Sequence, residues 1–400
     1  MAQFKYKAKT AAGATETGTA DAESIIELRK IMLKDKNLYL ISAEEIRSKS
    51  FTGKRDKKVS LKDLSMICKQ LNSMLGAGVT LVRSMDILYQ QTADPKLKET
   101  LRDIYEDVQK GSMFSDALRK QGECFPPLMI SIVQSGEASG NLEEVIGKLA
   151  SQFEADNRIR QQVVSATVYP AVLLVLILAA VVVLLVFVMP TFVGMFTSSG
   201  VALPVPTQIV LNSSNFLVKW WYLVFPLLGI AIYVFTRWIK TPKGNYFKSK
   251  AYLKLPIVKE TVINIASARF SRTLANLISS GLPLINSIEI TSKVVGNAII
   301  ENALMEMRDD IRVGMNLSYG IKKINVFPPV VHSMIAIGEE SGDIDSLLDK
   351  LADFMDEEVA TSIARLMTML EPLLIVFMGG VVGFIVVAMI LPIFGVYETI

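Results

Sequence analysis

The chain has 400 residues, of which 51% are hydrophobic, and a mean hydropathy of +0.39, high for a protein that stays in water. Its 42 basic and 39 acidic residues leave a formal charge of +3, which predicts no direct nucleic-acid partner. Two cysteines outside any CxxC pair and the single His332 exclude an ordinary structural zinc site and predict a reduced compartment, with no cofactor.

The opening MAQFKYKAKT lacks the apolar core of a cleavable signal, so insertion is expected to rely on an internal segment. FKYKAKTAAGATETGTA alternates around a glycine, DAESIIELRKIMLK has a helix pattern starting at Asp21 or Ser24, and LYLISA is a short strand. Together they predict a small α+β cap over residues 1–46. RSKSFTGKRDKKV follows as a basic linker over 47–59, solvated or held near anionic headgroups. Leu61, Leu64, Ile67, Cys68, Leu71, Met74 and Leu75 then recur at three and four spacing, and Gly76 and Gly78 end that helix. Asp94-Pro95 opens a further helix that Gly111 closes. Residues 60–168 therefore predict an antiparallel helical bundle.

Every residue from Ala171 to Met189 is apolar, enough to cross a hydrocarbon core of about 30 Å, and a first span is expected over 169–190. The apolar run from Trp220 to Phe235, flanked by Lys219 and Arg237, predicts a second over 220–238. An uncharged stretch from Pro372 to Tyr397 predicts a third over 371–397. Arg237, Lys240, Lys243, Lys248, Lys250, Lys254 and Lys259 crowd the far side of the second span, whereas Thr191 to Lys219 carries one charge. The positive-inside rule then places the N-terminus and both bundles in the cytoplasm, with the 191–219 loop and the C-terminus outside. Residues 239–370 form the second bundle.

The chain repeats itself. FPPLMISIVQSGEASGNLEEVIGKLA from Phe125 is echoed by FPPVVHSMIAIGEESGDIDSLLDKLA from Phe327 at a constant offset, and a one-residue slip carries the match upstream to Gly78 and Gly281. Pro170 meets Pro372, and Pro190 meets Pro392. The fold class is therefore mainly α: an integral membrane protein with two repeated cytoplasmic bundles, three transmembrane helices and the N-terminal cap. Asn141 to Met189 reads as nearly one continuous helix bent at Pro170.

In GEASGN, Gly136 and Gly140 supply a turn, and Asn141 and Glu144 have capping-box spacing. Gly338, Gly342 and Asp343 repeat it, with Ser346 where the acid would stand. A helix-to-helix turn accounts for most of the motif. It does not require Glu137 or Glu339, which are left for a tertiary or partner contact. The acids from Glu339 to Glu358 offer oxygens of the kind a divalent cation takes, but without EF-hand spacing, and read better as a solvated face or a complement to the basic block 237–272. Glu371 stands at the edge of the third span, where the first copy has Tyr169.

No phosphate loop, HExxH or GxSxG occurs, and the spans lack the ionisable residues that mark a conduction path. These absences count against the two rivals, an intramembrane enzyme and a small repeat-built transporter or channel.

The duplicated GExSG turns, the FPP openings, EPLLIV, LPVPT and the terminal LPIF together resemble the inner-membrane platform proteins of type IV pilus assembly and type II secretion, over essentially the whole chain. The resemblance implies a non-enzymatic scaffold that couples a hexameric cytoplasmic assembly ATPase, and a retraction ATPase in some machines, to insertion or removal of pilins or pseudopilins. It also implies other inner-membrane assembly proteins as partners, and we expect a homo-oligomer in contact with membrane lipid. The family's signatures fall on Gly136, Glu137, Gly140, Gly338, Glu339, Gly342, Glu371 and Pro372.

Overall fold

The computed structural model describes residues 2–10, 15–22, 38–45, 58–197 and 204–397. The chain divides into two units, residues 1–57 and 58–400.

In the first unit, β1 (Ala2–Thr10), β2 (Thr15–Ala22) and β3 (Leu38–Glu45) form an antiparallel sheet in the order β2-β1-β3. The alternating segment and LYLISA thus pair as strands. Asp21 lies opposite Gln3 in β2, so a helix beginning at Asp21 is corrected to strand. The rest of the expected cap helix, and most of the basic linker, lie outside the described residues.

The second unit is helical and built twice. The first copy comprises α1 (Leu61–Gly76), α2 (Leu81–Gln91), α3 (Pro95–Gln109), α4 (Phe114–Lys120), α5 (Pro127–Ser139) and α6 (Leu142–Val183). Local chemistry starts and stops these helices: Asp94 accepts hydrogen bonds from the amides of Lys96 and Leu97 ahead of Pro95, and Gly111 ends α3 at φ 89°. Leu64, Ile67, Cys68 and Leu71 of α1 are buried against Val145, Ile146, Leu149 and Phe153 of α6 in one core. Each such side chain contributes roughly 1.5–3 kcal/mol when removed from water.

Cys68 is buried, which pushes its thiol pKa up to about 12, whereas Cys124 is part-exposed. A maleimide at about pH 8 should therefore label the folded chain at Cys124 alone and reach Cys68 only after unfolding; fast labelling of Cys68 in the folded chain would contradict this packing.

Beyond Ile159 the same helix turns outward, and Val164, Val168, Tyr169, Val172 and Val175 are exposed. An apolar exterior on a long helix fits lipid rather than water. The helix passes Pro170 without ending and instead loosens into a π-helical turn at Leu184–Val188, before α7 (Met189–Thr197). The ring of Pro190 would collide with the carbonyl of Val186 in a regular α-helix, and the wider turn relieves that clash.

The expected loop over 191–219 is corrected: α7 and α8 (Val205–Ile239) occupy most of it. Pro206 starts α8 where no amide is needed. Its first turns bury Val210 with Leu185, Met189, Ile385 and Ala388. Thr207 donates to the carbonyl of Ala388 at 2.5 Å, and Ser214 to that of Leu185 at 2.5 Å. Hydroxyls bonded to neighbouring helix backbones are a usual means of joining helices in lipid.

The second copy begins after α9 (Pro242–Lys254) and comprises α10 (Pro256–Ser279), α11 (Leu284–Val294), α12 (Ala298–Arg312), α13 (Leu317–Ile324), α14 (Pro329–Ser341) and α15 (Ile344–Tyr397). Its α10 and α15 pack as α1 and α6 do, around Phe270, Leu274, Leu348, Leu351 and Met355. At 54 residues, α15 runs about 80 Å from bundle to end of span at about 1.5 Å per residue. Stretches of α6, α8 and α15 are long and apolar enough to cross a membrane.

Candidate functional site

The duplicated turn joins α5 to α6 and α14 to α15, and each of its residues has a separate task. Gly140 and Gly342 adopt φ 73° and 76°, left-handed conformations that end the helices. The amide of Asn141 returns to the carbonyl of Gly136 at 2.9 Å and that of Gly140 to Glu137 at 3.4 Å, closing a Schellman motif. At Gly136 a methyl group would lie 2.2 Å from Cγ2 of Val145, so only glycine lets α5 approach α6 this closely. At Gly338 the corresponding approach is 3.1 Å, to Cα of Ile344.

The two glutamates face inward to a neighbouring helix. Glu137 accepts from the amides of Phe114 at 2.5 Å and Ser115 at 3.0 Å, and from the Ser115 hydroxyl at 2.5 Å. Glu339 repeats this with Leu317 at 2.6 Å, Ser318 at 3.0 Å and the Ser318 hydroxyl at 2.5 Å. Each carboxylate thereby caps a short helix, α4 or α13, from another part of its own bundle. The need is plain in the first copy, because the residue ahead of α4 is Met113, which cannot cap. A negative charge there also meets the positive end of the helix dipole. Of the two contacts expected of these carboxylates, tertiary or partner, the structure shows the tertiary one, made within each copy.

The capping box is corrected too. The Asn141 amide group donates to the Glu144 carboxylate, and no side-chain cap forms at Asn141. Lys148, above all, holds the Glu144 carboxyl below its usual range. Glu371 and Pro372 lie exposed within the unbroken α15, away from the turns.

Three acids of the cluster are gathered by one arginine. Arg272 on α10, whose side chain is 12% exposed, lies 2.8 Å from both Asp353 and Asp356 and 3.7 Å from Asp349. Burial raises the Asp356 pKa, while Arg272 opposes that rise. The first copy has the equivalent pair, Lys69 with Glu154 at 2.5 Å.

A second polar set, which neither copy reveals by itself, joins the copies. Asp156 of α6 bonds to Arg269 of α10 at 3.0 Å. Gln152 receives a hydrogen bond from Asn276 at 3.1 Å and donates to Asp156 at 3.3 Å. Lys148 donates to the carbonyl of Ser279 at 3.2 Å, and Ser135 to that of Ser280. Asp156 and Gln152 are buried, and Leu277 of the second copy enters the core of the first. The signal available in sequence was the mismatch between copies: Arg269 aligns with Met66, and Asp156 with Glu358.

The family model of the type II secretion system protein F matches the chain twice, over residues 67–190 and 270–392. The chain belongs to the type II secretion system protein F family. Both family segments begin inside the first helix of a copy and run through its membrane-crossing segment. Among curated relatives, the type IV pilus assembly protein PilC of Myxococcus xanthus is 34% identical, covering 98% of this chain and 94% of its own. The PilC of Thermus thermophilus is 35% identical over 100% and 99%. The type II secretion system protein F of Vibrio cholerae is 31% identical over 98% of both chains. Pilus assembly and secretion relatives thus match this member of the family over nearly the same length.

Proposed function

We propose that this chain is the inner-membrane platform of a type IV pilus or type II secretion machine: a scaffold without catalytic activity that couples a hexameric cytoplasmic ATPase to insertion or removal of pilins or pseudopilins. Residues 60–168 and 239–370 serve as the cytoplasmic bundles, residues 1–46 as an α+β cap, and the C-terminus lies outside. One observation carries this reading. Each bundle passes into a membrane-crossing segment without an intervening loop, through α6 in one copy and α15 in the other. A long helix is stiff, so a force applied to the bundle reaches the bilayer. The buried contact among the spans supports a scaffold over a conduit, because among the described residues it gathers Leu185, Met189, Val210, Ile385 and Ala388, with the Thr207 and Ser214 hydroxyls bonded to carbonyls.

The reading is tested by deletion and by topology. Loss of the chain should abolish filament assembly or secretion while pilin and ATPase levels stay normal, and the chain supplied in trans should restore it. A reporter after residue 160 should be cytoplasmic, and one at Ser213 extracytoplasmic. A cytoplasmic reporter at Ser213, or assembly without the chain, would refute the proposal.

A further inference from the structure

The junction between the copies is one-sided. The first copy contributes Ser135, Lys148, Gln152 and Asp156, and the second contributes Arg269, Asn276 and the carbonyls of Ser279 and Ser280. Carrying the repeat offset across gives the reverse faces: Ile337, Lys350, Phe354 and Glu358 on the second copy, and Met66, Ser73, Gly76 and Ala77 on the first. These faces do not meet within the chain. Ile337 is 56% exposed, Phe354 44% and Met66 44%.

Where polarity changes between the closed junction and the open faces it changes in one direction, while Asp156, Asn276 and Lys148 keep polar counterparts in Glu358, Ser73 and Lys350. Where the junction has Ser135 and Gln152, the open face has Ile337 and Phe354; where it has Arg269 and Ser280, the other open face has Met66 and Ala77. A face meant for solvent would retain the polar residues, whereas exposed apolar side chains at contact positions call for a cover. Lys350 retains the place of Lys148, and Gly76 stands at the counterpart of Ser279.

We propose that a second copy of this chain is that cover: the Ile337–Phe354 face of one protomer docks on the Met66–Ala77 face of the next, repeating the internal junction head to tail. Such a contact is heterologous and builds rings or arcs rather than two-fold pairs. It is compatible with the bilayer. Both α6 and α15 run from bundle to span in the same sense, so the operation relating the copies keeps further copies on the same side. The proposal does not depend on the identity of the machine.

The test uses the full chain in its membrane in a Cys124→Ser background, with buried Cys68 retained. One tagged chain carries Met66→Cys and a second, differently tagged chain carries Glu358→Cys, the counterparts of the Arg269–Asp156 pair. A short bis-maleimide should yield a dimer bearing both tags and none bearing one tag twice. Phe354→Asp on the Glu358→Cys chain should reduce that product at least tenfold at unchanged membrane level and unfolding temperature. No mixed dimer, although both cysteines react with a monofunctional maleimide, would overturn the proposal. So would same-tag dimers, or a mixed dimer indifferent to Phe354→Asp.

Discussion

Alanine at Glu137 or Glu339 should lower the stability of the chain by about 3 kcal/mol, because each change orphans two backbone amides and a hydroxyl at a helix start that has no other side-chain cap. Phe114 and Ser115 are buried, so water cannot readily replace the carboxylate. Glutamine is milder, at about 2 kcal/mol: its one oxygen still accepts, but its NH2 group cannot accept from the second amide, and the charge facing the helix dipole is gone. Thermal unfolding of the purified chain in detergent, followed by circular dichroism, reads both effects. Unchanged unfolding of both alanine variants would remove these residues from the bundle's support. Loss of assembly at unchanged stability would return them to a partner contact.

The second large effect is expected at the junction. Arg269→Met should leave the Asp156 carboxylate buried with only Gln152 beside it. Breaking a fully buried pair costs about 3–5 kcal/mol; about 2 kcal/mol is expected here, because the Arg269 side chain is 25% exposed. The double change Asp156→Leu with Arg269→Met should recover most of the loss, since a matched apolar pair carries no unpaired charge. Failure of the double variant to recover would show that the charge pair is not what the single variant loses.

These effects mark where sequence reading reached its limit. The apolar stripe from Leu61 to Leu75 was legible because helical periodicity is local, and Asp94-Pro95 because its cap lies within its own turn. The spans were legible as unbroken apolar runs. The first half of α8 was not: Thr207 and Ser214 look like loop residues until a neighbouring carbonyl is there to accept their hydroxyls. Glu137 was singled out correctly as surplus to the turn, but its partners, two backbone amides and the Ser115 hydroxyl, lie more than twenty residues away in the chain. The one local clue was Met113, a residue unable to cap, ahead of a helix. Asp156 and Arg269 were missed for a different reason, since the repeat directs attention to what the copies share and the junction uses what they do not.

Co-purification with the motor tests the platform reading most directly. The full chain, solubilised from cells that also express the machine's own assembly ATPase, should retain that ATPase through size-exclusion chromatography, stimulate its turnover and hydrolyse no ATP alone. Lack of association under conditions that preserve filament assembly in the same cells, or ATP hydrolysis by the chain alone, would contradict the account.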